Sequence, residues 1–314
     1  MDKPKIAFID DEARILRSLK MMFRPTHDVF TTTDPNELLD YVQTNDVQVV
    51  VSDQRMPDML GVDVLKKVSE VQPTTMRILL TGYADLNAVL DSVNEGEIYR
   101  YVTKPWQNEE LEKIVNTATS IAIETKDTPV EEQMAIQNVH SDRRILVLDD
   151  EKATFEAIKD QFEPAYRVSW ANSLDDAGKL INKHSFGVVI ADVTLAGDDI
   201  KPVIYALKNI QPQLMMIVLS KQKDAEMIIE LINKGQIYRC LPRPTNLALL
   251  QISVERAFDK HDKFVAQPKL VARHHVDEVP EEELSSLSDK INGFLGKLQF
   301  WKGFGGFKLG ILGR

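Results

Sequence analysis

The chain has 314 residues, 43% of them hydrophobic and 27% charged, with a formal charge of −10 and a single cysteine, Cys240. That length leaves room for about two domains with ample core. The acidic balance argues against nucleic acid as a partner, the lone cysteine excludes an internal disulfide framework, and no run of about 18 apolar residues offers a membrane span. With no apolar signal region after Met1, the expected location is cytoplasmic.

In chain order, Lys5–Ile9 reads as an apolar strand ending in three acids, Asp10, Asp11 and Glu12. Ile15, Leu16, Leu19, Met22 and Phe23 follow at helical spacing, and Pro25 closes that helix. Val29–Thr32 is a short strand, and Asp34-Pro35 opens a helix with Leu38, Leu39 and Val42 on one face. Val49, Val50 and Val51 form a β-branched run of the kind buried on both faces of a parallel sheet, and it ends at Asp53. A helix through Val62, Leu65 and Val68 comes next, then strand Arg77–Leu80 with Thr81-Gly82, and a helix across Leu86–Val93. Strand Ile98–Val102 leads to Thr103-Lys104-Pro105, and a last helix runs from about Asn108 to Ile123. Five alternations of strand and helix predict a doubly wound, five-stranded parallel sheet with right-handed crossovers.

The pattern then repeats. Asp10 and Asp149, Asp53 and Asp192, Thr81 and Ser220, and Lys104 and Arg243 are each 139 residues apart, without a gap. Two copies of one flavodoxin-like α/β domain are expected, at residues 1–126 and 143–263, joined by a polar linker at 127–142. Residues 264–314 form a linker and tail, with Gln267–Glu283 polar and flexible. Leu284, Leu287, Ile291, Phe294, Leu295, Leu298 and Trp301 recur at helical spacing, and from Asp289 onward the tail is basic. This amphipathic segment, 284–314, has two functional readings, an anionic membrane surface or a groove on a protein, and a third in which it packs back on its own chain. His274 and His275 beside Asp277 and Glu278 read as a solvated cluster rather than a metal site.

In open α/β sheets, chemistry collects at the carboxyl ends of the strands. In the first repeat those ends bring Asp10, Asp11, Asp53, Thr81 and Lys104 together. Clustered carboxylates repel unless a hard cation sits among them, and Mg²⁺ takes oxygen ligands and phosphate oxygens alike. A carboxylate there can attack phosphorus to give an acyl phosphate, while an ammonium neutralises the equatorial oxygens.

These residues, with Met56-Pro57, Gly61, Thr81-Gly82 and Lys104-Pro105 in order, resemble the receiver domain of two-component response regulators over about Lys5–Ile123. The resemblance implies that Asp53 accepts phosphate from a phospho-histidine on a sensor kinase or phosphotransfer protein. It also implies that Asp10, Asp11, Asp53 and the backbone carbonyl of Arg55 hold Mg²⁺, that Thr81 and Lys104 sense the phosphate, and that Tyr101 is the aromatic switch. The second repeat keeps Asp149, Asp150, Asp192 and the hydroxyl of Ser220. It carries Arg243 for Lys104, Cys240 for Tyr101, Ala196 for Pro57 and Ile200 for Gly61. It is expected to be degenerate, either a weak phosphoacceptor at Asp192 or a contact module, with Cys240 a small buried hydrophobe.

A haloacid-dehalogenase-like phosphatase also uses a strand-end Asp and Mg²⁺, but it needs an Asp where this chain has Arg55. The expected protein is therefore not an enzyme. It is a tandem-receiver response regulator acting on an unnamed protein target, without an enzymatic or DNA-binding output domain. The alternative is an unphosphorylated scaffold, membrane-associated through its tail.

Overall fold

Two identical sheet orders arise from the repeated pattern. The computed structural model describes residues 3–82, 98–126, 143–221, 225–274 and 293–294. The helix expected across Leu86–Val93, the linker 127–142, His275 to Glu278 and all of the tail but Gly293 and Phe294 lie outside the described residues. Contacts divide the chain into two units. The first holds Met1–Ala135, Gln222–Cys240 and Lys263–His275, and the second holds Ile136–Lys221, Leu241–Asp262 and Val276–Arg314.

In the first unit the strands are β1 (Lys5–Ile9), β2 (Asp28–Thr32), β3 (Val49–Asp53), β4 (Met76–Thr81) and β5 (Arg100–Thr103). They form one parallel sheet in the order β2-β1-β3-β4-β5. Helices α1 (Ala13–Phe23), α2 (Pro35–Thr44), α3 (Gly61–Val71) and α4 (Asn108–Thr125) connect and flank them. Alternation along the strands fills both faces. Ile6, Phe8, Val49, Val51, Ile78 and Leu80 pack with Leu16, Leu19 and Phe23 of α1 and Leu111, Val115 and Ala118 of α4. Every residue of β3 is buried, as expected for the central strand of a parallel sheet. Asp34 caps α2 as the sequence predicts, its side chain accepting from the Asn36 N–H at 2.8 Å.

Two features of this unit are absent from the sequence reading. Pro268–His274, expected within a flexible linker, forms a 3₁₀ helix held by one arginine. Arg273 donates to the Thr125 hydroxyl at 3.0 Å and to the carbonyls of Pro73 (2.9 Å) and Thr74, while Ala272 packs on the core. These three guanidinium bonds reach two carbonyls and a hydroxyl, which a polar composition alone does not foretell. The free edge of β5 is also covered. The side-chain amide of Asn233, on helix Ala225–Gly235, accepts from the Tyr101 N–H at 3.0 Å and donates to the Tyr101 carbonyl at 2.7 Å. Gln236 adds a bond to the Tyr99 carbonyl at 3.2 Å.

The second sheet consists of β6 (Arg144–Leu148), β7 (Arg167–Ala171), β8 (Val188–Asp192), β11 (Met215–Ser220) and β12 (Arg239–Pro242), ordered β12-β11-β8-β6-β7. Its register repeats the first: Ile145 faces Val188 as Ile6 faces Val49. Helices α5 (Lys152–Phe162), α6 (Leu174–Lys183), α7 (Lys201–Ile210), α8 (Ala225–Gly235) and α9 (Leu247–Ala266) complete the repeat. A two-stranded hairpin, β9 (Thr194–Leu195) with β10 (Asp198–Asp199), formed where the first repeat has residues 55–60, sets it apart. Ala196 and Gly197 turn that hairpin with φ of 52° and 86°. In the tail, Phe294 is only 3% exposed, and its ring lies 3.6 Å from where a Cβ on Gly178 of α6 would sit. For this one residue the structure favours the packing-back reading of the tail.

Candidate functional site

At the carboxyl ends of β1, β3 and β5, three charged groups meet. Asp10 and Asp53 are buried, and the Lys104 ammonium, 25% exposed, sits between them, 2.9 Å from Asp10 Oδ2 and 2.5 Å from Asp53 Oδ1. Local backbone turns hold both acids. The Glu12 N–H donates to Asp10 Oδ1 at 2.8 Å, and the Arg55 N–H donates to Asp53 Oδ2 at 2.8 Å. Burial pushes the Asp53 carboxyl above its ordinary range, and Lys104 offsets this only in part. Burial alone would lower Lys104, but its bonds to Asp53 and Asp10 outweigh that and hold the ammonium above its usual value. Asp11 is exposed at the rim, and Thr81 is buried at the end of β4, its hydroxyl 3.3 Å from the Gly82 carbonyl. Tyr101 is buried on β5.

Gly61 decides how closely α3 approaches this cluster. A Cβ there would lie 2.0 Å from the Asp53 carbonyl oxygen, so no side chain fits, and the Gly61 N–H donates to the Gln54 carbonyl at 3.0 Å instead. Gln54 is buried, and its Nε2 has no hydrogen-bond partner among the described residues.

The second repeat places the matching residues around Arg243. The guanidinium is 7% exposed and ion-pairs with Asp149 through Nη2, with Asp192 Oδ2 through Nε at 3.1 Å and with Glu151 Oε2 through Nη1 at 3.3 Å. Nη1 also donates to the Thr154 hydroxyl at 3.2 Å, and Lys221 holds Glu151 at 2.8 Å. Burial raises the Asp149 carboxyl, against the pull of the Glu151 N–H and Arg243. Asp150 is exposed, as Asp11 is, and Ser220 is buried at the strand end. Cys240 is buried, which pushes its thiol up to about 11 and keeps it protonated, as expected of a small core residue.

Sequence reasoning missed Thr154, Glu151 and Lys221. The 139-residue offset pairs them with Ile15, Glu12 and Gly82, so two new polar groups beside an Arg-for-Lys change were the available signal. It likewise missed why Ile200 replaces Gly61. The Ile200 N–H donates to the Val193 carbonyl at 2.9 Å, the counterpart of the Gly61 bond, but the β9–β10 hairpin reroutes the approach and leaves room for a fully buried side chain.

The model of the response regulator receiver domain matches twice, at residues 6–116 and 145–255. The chain belongs to the response regulator receiver family. It is therefore a tandem-receiver response regulator of the two-component type. Receivers in general interact with histidine kinases or phosphotransfer proteins and use Mg²⁺ for phosphorylation. Similar proteins include the hydrogenase transcriptional regulatory protein HoxA of Bradyrhizobium diazoefficiens (strain JCM 10833 / BCRC 13528 / IAM 13628 / NBRC 14792 / USDA 110). It is 32% identical over 123 residues, 39% of this chain and 25% of that protein. HoxA of Cupriavidus necator (strain ATCC 17699 / DSM 428 / KCTC 22496 / NCIMB 10442 / H16 / Stanier 337) is 34% identical over 113 residues, 36% of this chain and 23% of that protein. The chain thus spans about a quarter of the length of these curated relatives. Among solved structures, the signal receiver domain of an HD domain-containing protein from Pseudomonas fluorescens Pf-5 is 31% identical, covering 41% of this chain and 96% of that one with a TM-score of 0.39.

The carboxylates of Asp10 and Asp53 are oxygen donors of the kind Mg²⁺ takes, and the cation now between them, the Lys104 ammonium, stands on a flexible, partly exposed stem. Among the described residues no three acidic, histidine or cysteine side chains converge as a ready-made metal cage. No described helix is long and apolar enough to cross a membrane.

Proposed function

We propose that Asp53 is the phosphoacceptor and that its phosphorylation switches protein contacts. The observation that carries this reading is the Lys104 ammonium shared by Asp53 and Asp10. A carboxylate oxygen of Asp53 attacks the phosphorus of a phospho-histidine; the new O–P bond forms as the P–N bond breaks, and the pair of electrons leaves on the imidazole nitrogen. Burial strengthens every charge interaction at this site, so Lys104 can follow the incoming phosphoryl oxygens and release Asp10. Bound Mg²⁺, held by Asp10, Asp11, Asp53 and the Arg55 carbonyl, would supply the remaining charge neutralisation.

Thr81 stands at the end of the neighbouring strand as the hydroxyl for a phosphoryl oxygen, and Tyr101 is the residue whose burial reports it. Phosphorylation adds nearly two charges and three acceptors, which bias a two-state element only by interacting differently with its states. The partners are a sensor histidine kinase or phosphotransfer protein and a protein target. The chain has no enzymatic activity or nucleic-acid contact of its own in this reading, and it works in the cytoplasm.

Phosphate incorporation from acetyl phosphate with Mg²⁺ tests the reading. Asp53→Ala should abolish labelling and Asp192→Ala should leave it intact. Labelling that survives Asp53→Ala would overturn it. For the second receiver the contact-module reading is favoured, because Arg243 spans Asp149 and Asp192.

A further inference from the structure

We infer that Arg243 is the resident cation of the second receiver's acidic site, so that this domain binds no divalent metal and takes no phosphoryl group. The inference deepens the contact-module reading and stands apart from the role proposed for Asp53.

In the first receiver the cation is a compact ammonium on a flexible stem, with two partners and a quarter of its surface open. In the second, the guanidinium is nearly enclosed and meets Asp149, Asp192, Glu151 and the Thr154 hydroxyl. A guanidinium does not lose its charge and presents a planar fork of donors, so it neither vacates the site by deprotonation nor shrinks to admit a metal. A divalent ion entering between Asp149 and Asp192 would meet this fixed positive charge at contact distance in a buried setting, where repulsion is weakly screened.

The surroundings have changed with it. Thr154 stands where the first receiver has Ile15 and gives Nη1 an acceptor that isoleucine lacks. Lys221 stands where the first receiver has Gly82 and pairs with Glu151, whose other oxygen faces Arg243. Asp192 is held as well. Its Oδ1 accepts from the Val193 N–H at 2.6 Å and from the Thr194 N–H at 3.3 Å, while Oδ2 faces Arg243 Nε. Two substitutions thus serve one guanidinium, and Arg243 with Lys221 faces three acids, Asp149, Glu151 and Asp192.

The test counts Mn²⁺ bound to the full chain from the free-ion electron paramagnetic resonance signal, and phosphoryl adducts by intact mass after acetyl phosphate treatment. Wild type should bind one Mn²⁺, lost in D10A/D11A and unchanged in D149A, and should carry one adduct. R243K should bind a second Mn²⁺ that R243K/D149A loses, and R243K/D53A should regain an adduct. R243Q serves if R243K fails to fold. The inference is overturned if D10A/D11A still binds Mn²⁺ through Asp149, or if R243K and R243Q fold with native circular dichroism yet keep the wild-type counts. Wild type that binds no Mn²⁺ and takes no label would overturn the Asp53 reading instead.

Discussion

The two receivers share strand order, register and acids, and they differ in the cation those acids face. Lys104 offers a point charge that can swing from Asp10 to an arriving phosphate; Arg243 offers a fork pinned on four sides. In the reading proposed above, this exchange of cation, with Thr154 and Lys221 beside it, separates a site open to chemistry from one closed by its own salt bridges. On that reading the fold and the carboxylates are inherited without the reaction.

The sharpest way to break this comparison is to exchange the cations. Lys104→Arg should put the second receiver's fork between Asp10 and Asp53 and lower the rate of phosphorylation by roughly tenfold or more, a barrier change of about 1.4 kcal/mol at least. A rate unchanged in Lys104→Arg would show that the fork is not what closes a site.

Next in size are two changes at one aligned position. Gly61→Ala forces a Cβ into the Asp53 carbonyl and should cost about 3 kcal/mol, the upper end for overpacking, with phosphorylation lost alongside. Ile200→Ala empties a filled slot and should cost a similar amount, about 3 kcal/mol, through a cavity. Urea unfolding of each variant measures both, and a neutral Gly61→Ala would remove the steric account of this loop.

A smaller, pH-dependent difference follows from Lys208, buried in α7 where the first receiver has half-buried Ser69. Its ammonium donates to the carbonyls of Pro212 (2.6 Å) and Leu214 (2.8 Å), and burial pushes its pKa down to about 7. Between about 7 and the ordinary 10.5 the unfolded chain binds a proton that the folded chain does not, so the stability of the second receiver should rise with pH across that window. Lys208→Met should flatten the slope in urea titrations from pH 7 to 10. A slope identical in the two proteins would mean that Lys208 stays charged in its carbonyl cradle.

The smallest effect is expected at Asn233→Ala, which strips the amide from the Tyr101 edge and should cost about 1 kcal/mol. Faster amide exchange at Tyr101 would accompany it, and unaltered exchange would show that the bond contributes nothing.

Much of this was legible in the sequence because it depends on periodicity. Lys5–Ile9, the valines of β3 and the apolar face of α1 each announce their element, and the 139-residue offset announces the duplication. The acids and Lys104 were legible because strand ends are fixed points of a parallel sheet. What escaped depends on side chains reaching across the fold. Arg273 ties down a segment whose composition reads as linker, Asn233 satisfies a backbone edge 132 residues away, and Thr154 with Lys221 complete the Arg243 network. The β9–β10 hairpin escaped for another reason. Ala196-Gly197 adopts positive φ at both positions, and only glycine advertises that conformation in a sequence.

Phe294 has a practical consequence for anyone who shortens this chain. Its ring is almost fully buried and lies within van der Waals reach of α6 at Gly178. A protein cut after α9 would lose this contact, and burial of a phenylalanine is worth roughly 1.5–3 kcal/mol. Such a truncation would express as a sticky, protease-sensitive domain, and its poor behaviour in solution would be traced to the missing ring rather than to the receiver itself.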